Sequence, residues 1–424
     1  MAELNKIDAI IEEVSKSSEA FRFKFLKGEF NHFLPPFESV AAFFSVKMDA
    51  KNIYKMLHST GDKLPTISSS SLHEIGRKGV GKTIFKKFMQ LMPARLLDLM
   101  LGKLDKWLVR SFNVQSNAAQ WLPGIQSFYM GMASAQGVVT PSNFYRPLSE
   151  FITLRSHQDI EFKEKLKEKV IANKIDINND FLLWENETKP FFKKHTLISE
   201  GALNLLSQLM KDKSFLTNAT NTEKEKYISY IFEIEYDFLF NCIACYETGY
   251  VGEYQESSEH IHWLISETLS AYSEPDNEVS CFRCFFNTLI QRYDENDIQI
   301  NHRQIASCIP LKGYVNTDGE DKLSAQYNKL FKWYRSIDLP SSAVLSEFII
   351  NLSQLSKYSM DTTIVDVASL AIALDKAFIE KKEAIHAEFG LEIDVFIIWK
   401  KFISNYDIYY QYHRKRYLQQ IGGE

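Results

Sequence analysis

Long apolar runs are missing from this sequence. The longest apolar stretches lie in SVAAFFSV at 39–46 and VASLAIAL at 367–374. They are far shorter than the roughly 20 residues that cross a bilayer as a helix. The first residues, MAELNKIDAIIEEV, also lack the uncharged apolar segment of a secretory signal peptide. We therefore expect a soluble, cytoplasmic protein with no membrane partner.

Cysteine is also scarce. The chain has five cysteines, and four of them form two Cys-x-x-Cys pairs, Cys242 with Cys245 and Cys281 with Cys284. So few cysteines, grouped in this way, argue against a disulfide scaffold and favour a reducing compartment. Two thiolates three residues apart can chelate a tetrahedral metal through one short turn. We therefore predict a structural zinc ion held by these four side chains.

The same pairs have an interpretation without metal. The first pair ends the stretch YISYIFEIEYDFLFNCIAC at 227–245, where apolar residues recur at helical spacing. Because free cysteine is among the most buried residue types, the thiols could instead be small apolar groups in a helical core. The sequence leaves both interpretations open.

An overall positive charge is missing too. The formal net charge is −5, so the chain as a whole is not a basic nucleic-acid binder. The charge is segregated, however. Residues 76–110 hold nine basic residues against two acidic ones, which gives +7 there and leaves −12 on the remainder. We expect this basic segment to contact nucleic-acid phosphates.

The pattern of apolar residues predicts a mostly α-helical, multi-helical protein, with a small zinc-stapled insertion that contains a short hairpin. Val367, Leu370, Leu374 and Phe378 share one helical face, and Gly390 is expected to end that helix. Turn-rich stretches suggest three domains, which are 1–147 with the basic segment 76–110, 148–320 with the four-cysteine window 242–284, and 321–424.

Between the cysteine pairs, the sequence has Glu259 and His260 followed by an isoleucine, and later Asn277. This order resembles the zinc-stapled HNH (ββα-metal) nuclease module over about forty residues. The resemblance implies that His260 is the general base, that Glu259 binds a catalytic divalent ion such as magnesium, and that Asn277 orients the loop. Trp263 stands where the family has proline, and Phe285 stands where it has His or Asn.

GRKGVGKT at 76–83 satisfies the pattern Gly-x-x-x-x-Gly-Lys-Thr, and so resembles the phosphate loop of P-loop nucleotide triphosphatases. The resemblance implies that Lys82 contacts the outer phosphates and that Thr83 binds magnesium. That loop follows a buried strand, whereas Ser71 and Glu74 form a capping-box pair that begins a helix. The preceding residues therefore favour another kind of turn.

The same turn is similar to a helix-hairpin-helix motif. In that family, the resemblance implies that Gly79 and Gly81 let the backbone approach a DNA phosphate at the start of the following helix. Lys82, Lys86 and Lys87 would then lie near the phosphate. The alternative is a glycine turn between two helices whose lysines face solvent. Phosphate binding is what the two functional interpretations share.

The C-terminal YYQYHRKRYLQQ interleaves Arg414, Lys415 and Arg416 with tyrosines. Guanidinium groups and aromatic rings can both stack on bases, so this pattern is typical of nucleic-acid binding. The alternative is a solvated terminal helix whose tyrosines dock on the body of the protein. These tyrosines are Tyr409, Tyr410, Tyr412 and Tyr417.

Together these patterns predict an intracellular protein that binds the phosphate backbone of nucleic acid and holds a structural zinc. An accessory subunit of a DNA-processing or antiviral defence complex fits this description. The alternatives are an HNH-like nuclease, a P-loop NTPase and a non-enzymatic helical scaffold. A hairpin between Cys245 and His260 would favour the nuclease, whereas unbroken helix would favour the scaffold.

Overall fold

A computed structural model of the chain describes most of the C-terminal two thirds and short parts of what precedes it. The described residues are 32–44, 107, 110–111, 114, 116–122, 124–125, 143–176, 179–212, 219–254, 263–274, 279–294, 301–311, 321–356 and 363–421.

The described residues form helices and no strand, which confirms the mostly α-helical fold. A 3-10 turn, Asn143–Tyr145, precedes the second helix, and a π-helical turn, Trp184–Thr188, joins the third to the fourth. The α-helices are α1 (Phe37–Phe43), α2 (Arg146–Ile171), α3 (Asp180–Leu183), α4 (Lys189–His195), α5 (Glu200–Lys211), α6 (Asn221–Tyr254), α7 (Leu264–Ser273), α8 (Cys281–Asp294), α9 (His302–Ser307), α10 (Lys322–Tyr334), α11 (Ser342–Ser356), α12 (Thr363–Phe389), α13 (Val395–Ser404) and α14 (Tyr406–Ile421).

The chain divides into two compact units. Unit 1 comprises Met1–Ala219, Glu233–Glu256 and Tyr409–Glu424, and unit 2 comprises Thr220–Phe232 and Ser257–Ile408. The predicted three-domain division stays a prediction, because most of both turn-rich boundaries lies outside the described residues.

The core of unit 1 surrounds the second part of α6. Phe238, Leu239, Phe240 and Asn241 are consecutive and all buried. Consecutive helical residues point about 100° apart, so burial of four in a row means that the helix is covered on every side. The ring of Phe240 lies edge-on to that of Tyr409 on α14, with centroids 5.5 Å apart.

The core of unit 2 is built from large aromatic side chains. α7 packs against α8 and α13, and α8 also packs against α12. The rings of Trp333 and Phe348 meet edge-on at 5.5 Å, and those of Phe232 and Trp399 at 5.1 Å. These contacts bury some of the largest side chains of the described residues.

Two helix ends in unit 2 show how the sequence sets local structure. The carboxylate of Asp375 on α12 accepts hydrogen bonds from the backbone N–H groups of Cys281 (2.8 Å) and Phe282 (3.0 Å) at the start of α8. A carboxylate is favourable there because the first N–H groups of a helix have no partner within it. At the C-terminal end of α12, Gly390 has φ +104°, which confirms the predicted glycine stop.

In the part of the chain that the structure covers, no helix is both long enough and apolar enough to cross a membrane.

Candidate functional site

The two cysteine pairs lie on two different helices. Cys242 and Cys245 lie within α6 in unit 1, and Cys281 and Cys284 occupy the first turn of α8 in unit 2. All of them are free thiols. Burial raises the pKa values of Cys242, Cys245 and Cys281. Burial thus keeps these thiols protonated, and binding of zinc would require them to lose their protons.

Within the described ranges, no three side chains of His, Cys, Asp or Glu come together in a way that could hold a metal ion. The zinc site therefore stays a prediction. The nuclease residues Glu259, His260 and Asn277 lie outside the described residues. α6 continues as helix to Tyr254, so the described part of the interval after Cys245 is helical. The rest of that interval, 255–260, lies outside the described residues, so the nuclease and the scaffold both stay predictions.

The phosphate-loop residues 76–83 also lie outside the described residues, as do Lys86 and Lys87. Of the basic segment, Trp107 and Arg110 are described. The guanidinium of Arg110 donates to both carboxylate oxygens of Glu164, at 2.8 and 2.5 Å, and lies 4.0 Å from the centre of the Trp107 ring. The charge of Arg110 is thus balanced within the protein, and phosphate binding by the rest of the segment stays a prediction.

A buried chain of hydrogen bonds joins Cys245 and Asn241 on α6 to His413 on α14. Asn241 Nδ2 donates to the carbonyl of Asp237 at 2.7 Å, which leaves its Oδ1 as an acceptor. His413 Nε2 lies 2.8 Å from that Oδ1 and therefore carries the ring proton. His413 Nδ1 is then an acceptor, and the thiol of Cys245, at 3.3 Å, donates to it.

A buried ion pair lies one helical turn before this chain. Arg155 Nη2 on α2 is 3.0 Å from Asp237 Oδ2, and the two side chains are only 3% and 1% exposed. The Leu197 N–H donates to the other carboxylate oxygen at 3.2 Å. Burial raises the pKa of Asp237, and the Arg155 guanidinium opposes that shift. The guanidinium also lies 4.4 Å from the centre of the Phe33 ring.

The residue types and atoms of the Cys245, His413 and Asn241 chain match those of a catalytic Cys-His-Asn triad. The environment of these side chains, however, differs from that of a catalytic triad. Burial raises the pKa of the Cys245 thiol and lowers that of His413 to about 3, with Arg416 and Arg155 adding to the second shift. Both groups are therefore neutral, and Cys245 is 1% exposed. A nucleophile needs thiolate character and access to substrate, so this chain is a structural link between α6 and α14.

This link gives a pH dependence to stability. The folded-state pKa of His413, about 3, lies below its ordinary value of 6.5. The stabilising contribution of the neutral ring is therefore complete above pH 6.5 and is lost as the pH falls towards 3, by about 1.4 kcal/mol per pH unit. Urea unfolding of wild type and His413→Gln between pH 7 and 4 should show a smaller acid loss in the variant, and parallel curves would contradict the assignment.

The C-terminal helix α14 presents a basic and aromatic surface. Tyr409, Tyr410 and Tyr417 are buried, as expected for tyrosines that dock on the body of the protein. Tyr412 is 43% exposed. The Arg416 guanidinium lies 5.6 Å from the centre of the Tyr412 ring.

Lys415 and Arg416 are exposed, whereas Arg414 is half-buried, with its guanidinium 5.8 Å from the ring centre of Tyr417. We call Tyr412, Lys415 and Arg416 the C-terminal basic face. Of the residues predicted to bind nucleic acid, the structure therefore leaves Lys415 and Arg416 accessible and turns Arg414 partly inward.

The buried chain was missed from the sequence, although one signal was present. Asp237, Asn241 and Cys245 recur every four residues and so lie along one face of the buried part of α6. Polar groups on such a face predict partners from another element. Their identity as Arg155 and His413 depends on tertiary packing.

The chain was compared with protein-family models, curated proteins and solved structures, and it matches none of them. What the structure shows is a chain of two compact units whose described residues form helices and no strand.

Proposed function

We propose that the protein binds the phosphate backbone of nucleic acid, and that the C-terminal basic face takes part in that binding. The observation that carries the proposal is the exposed pairing of Arg416 with the Tyr412 ring, next to Lys415. An arginine beside an exposed ring can bind a phosphate while the ring stacks on a base. Lysine adds a second positive charge within one helical turn.

Rigidity supports the proposal. His413 lies between Tyr412 and the basic residues, and it is fixed to α6 through Asn241 and Cys245. Buried Tyr409 and Tyr417 hold the helix on either side. A binding face on a fixed helix loses little conformational entropy when the ligand arrives. We therefore assign the buried chain the task of positioning this face.

The aromatic ring also favours one kind of nucleic acid. Stacking on Tyr412 requires an unpaired base, because bases in a duplex are already stacked on their neighbours. We expect single-stranded DNA or RNA to bind more tightly than a duplex of the same length. The basic segment 76–110 would add phosphate contacts without changing this preference.

The test is fluorescence anisotropy with a labelled single strand about 20 nucleotides long, which exceeds the site size of most single-strand binders. The double variant Lys415→Glu and Arg416→Glu should weaken binding and make the slope of log K against log salt shallower by about 1.4, for two lost phosphate contacts. Tyr412→Ala should cost about 1–3 kcal/mol of binding with little change in that slope.

The matched control is the double variant Lys332→Glu and Arg335→Glu. Both residues are exposed, basic and part of unit 2, and the change in net charge is the same. It should leave affinity nearly unchanged. An equal loss of affinity in this control would show that binding depends only on the net charge of the protein, and it would contradict the proposal. Unchanged affinity in the Lys415 and Arg416 variant would show that another part of the chain makes the phosphate contacts.

A further inference from the structure

We propose that the outer side of α10 in unit 2 is a docking surface for an acidic segment of another protein that also carries large apolar side chains. Tyr327 and Phe331 lie on successive turns of α10, and Ile337 follows its end. Their exposed fractions are 36%, 38% and 69%. We call these three residues, with the bases Lys332 and Arg335, the α10 face. This surface is distinct from the C-terminal basic face, which belongs to unit 1.

The aromatic part of the α10 face is continuous and anchored. The ring centroids of Tyr327 and Phe331 are 4.9 Å apart, and those of Phe331 and Tyr334 are 6.2 Å apart. Tyr334 is buried, and its hydroxyl lies 3.2 Å from Nδ1 of His302. The backbone carbonyl of Tyr334 accepts a hydrogen bond from the Ser280 hydroxyl at 2.9 Å. Because the exposed rings rest on a fixed ring, a partner that covers them orders few side chains on binding.

The end of α10 adds an aliphatic side chain to the same surface. Ser336 has φ +54°, in the left-handed region, and the Ile337 N–H donates to the Lys332 carbonyl at 3.0 Å. This arrangement is a Schellman helix end, which brings the chain back beside the last turn of the helix. Ile337 therefore extends the apolar stripe of Tyr327 and Phe331. Neighbouring exposed apolar side chains indicate an interaction site, whereas single ones are ordinary.

The charge around this stripe is positive. Residues 321–338 contain four bases and two acids, which gives +2 in a chain whose net charge is −5. One of the acids, Asp321, is engaged within the helix, where its carboxylate accepts from the Ser324 N–H at 2.8 Å. An acidic partner is therefore attracted, whereas the same face of a second copy is repelled. The four bases are Lys322, Lys329, Lys332 and Arg335.

The apolar groups favour a protein segment over nucleic acid. Nucleic-acid bases bind side chains chiefly by stacking on open ring faces. The Tyr327 and Phe331 rings contact each other at an interplanar angle of 57°, and Ile337 has no ring at all. Large apolar side chains of a protein can pack on all three residues. Carboxylates beside those side chains can then pair with Lys332 and Arg335 at the rim.

The test is selection of displayed random peptides of about 12 residues, long enough to span the face, on the full-length protein. Enriched peptides should combine acidic residues with leucine or aromatic residues. A labelled synthetic copy of an enriched peptide then gives the affinity by fluorescence anisotropy. Phe331→Ala should weaken binding about tenfold or more, as the loss of a central anchor does. Ile337→Ala removes an exposed side chain, so the fold stays intact, and it should weaken binding about fivefold.

The charged rim is tested with the double variant Lys332→Glu and Arg335→Glu. It should weaken binding of the peptide about tenfold at low salt and less at high salt, because salt screens exposed charges. The matched charge control is Lys415→Glu with Arg416→Glu, which changes the C-terminal basic face by the same amount. The apolar control is Leu391→Ala, at an exposed leucine in the turn after α12. Both controls should leave the affinity for the peptide unchanged.

Selection of no peptide, or of peptides without acidic residues, would overturn the proposal. So would an equal loss of affinity in the Lys415 and Arg416 variant, or unchanged affinity in Ile337→Ala and Phe331→Ala. If the Lys332 and Arg335 variant lost its affinity for the labelled single strand, the face would bind nucleic acid instead. A dimer in sedimentation that Ile337→Ala dissociates would identify a second copy as the occupant, which also overturns the proposal.

Discussion

Replacing Asp237 with alanine is expected to lower the free energy of unfolding by about 3–5 kcal/mol. The guanidinium of Arg155, 3% exposed, would lose its carboxylate partner in a site that water does not reach. The Leu197 N–H would lose its acceptor as well. Leaving a charge unpaired in the interior costs far more than the loss of the contact alone. Urea denaturation followed by circular dichroism measures the change.

Two controls separate burial from simple loss of an ion pair. Glu150→Ala removes the partner of Arg146 from an exposed pair, with N–O distance 2.8 Å, and should cost less than about 1 kcal/mol. The double variant Arg155→Met with Asp237→Leu should recover much of the lost stability, because no charge stays buried. If Asp237→Ala cost no more than Glu150→Ala, the buried pair would contribute little to stability.

Gly249→Ala is expected to lower the free energy of unfolding by about 3 kcal/mol or more. A Cβ atom at this position of α6 would overlap the backbone carbonyl of Phe144 and also contact Pro147. Backbone atoms cannot move aside as a side chain can. Alanine otherwise favours a helix over glycine by about 1 kcal/mol, so any loss comes from the overlap. Soluble yield and melting temperature measure it.

The chain offers graded controls for that substitution. Among the described residues, a Cβ atom at Gly124 would meet only the Phe37 ring, at an ordinary 3.9 Å, so Gly124→Ala should be tolerated. At Gly252 it would overlap the hydroxyl end of Tyr417, which is a side chain. Gly252→Ala should therefore cost an intermediate amount. Equal stability of all three variants would contradict the close approach of α6 to Phe144.

The helical fold could be predicted because its signals are local. Val367, Leu370 and Leu374 recur at helical spacing and are buried, and Gly390 ends α12 in the conformation that glycine favours. Such patterns depend on neighbours within one or two turns. Packing of the helix then buries the face that the sequence had already made apolar.

The cysteine pairs were ambiguous for a geometric reason. Residues three apart lie on one face of a helix, and the same spacing allows chelation of one metal ion. Cys242 and Cys245 satisfy both requirements. The sequence alone therefore cannot separate a ligand pair from two core thiols.

The buried chain could not be predicted because its members are distant in the sequence. Cys245 and His413 are 168 residues apart, so only tertiary packing brings them together.

The order of segments along the chain has a consequence for biosynthesis. Unit 1 takes its parts from three stretches, and most of unit 2 lies between the second and the third. A ribosome therefore releases nearly all of unit 2 before it makes Tyr409–Glu424, the stretch that carries His413. Unit 2 can fold while translation continues, whereas the Cys245 side of the unit 1 core stays incomplete until residues 409–424 emerge. Unit 1, whose first stretch precedes unit 2, is completed after it.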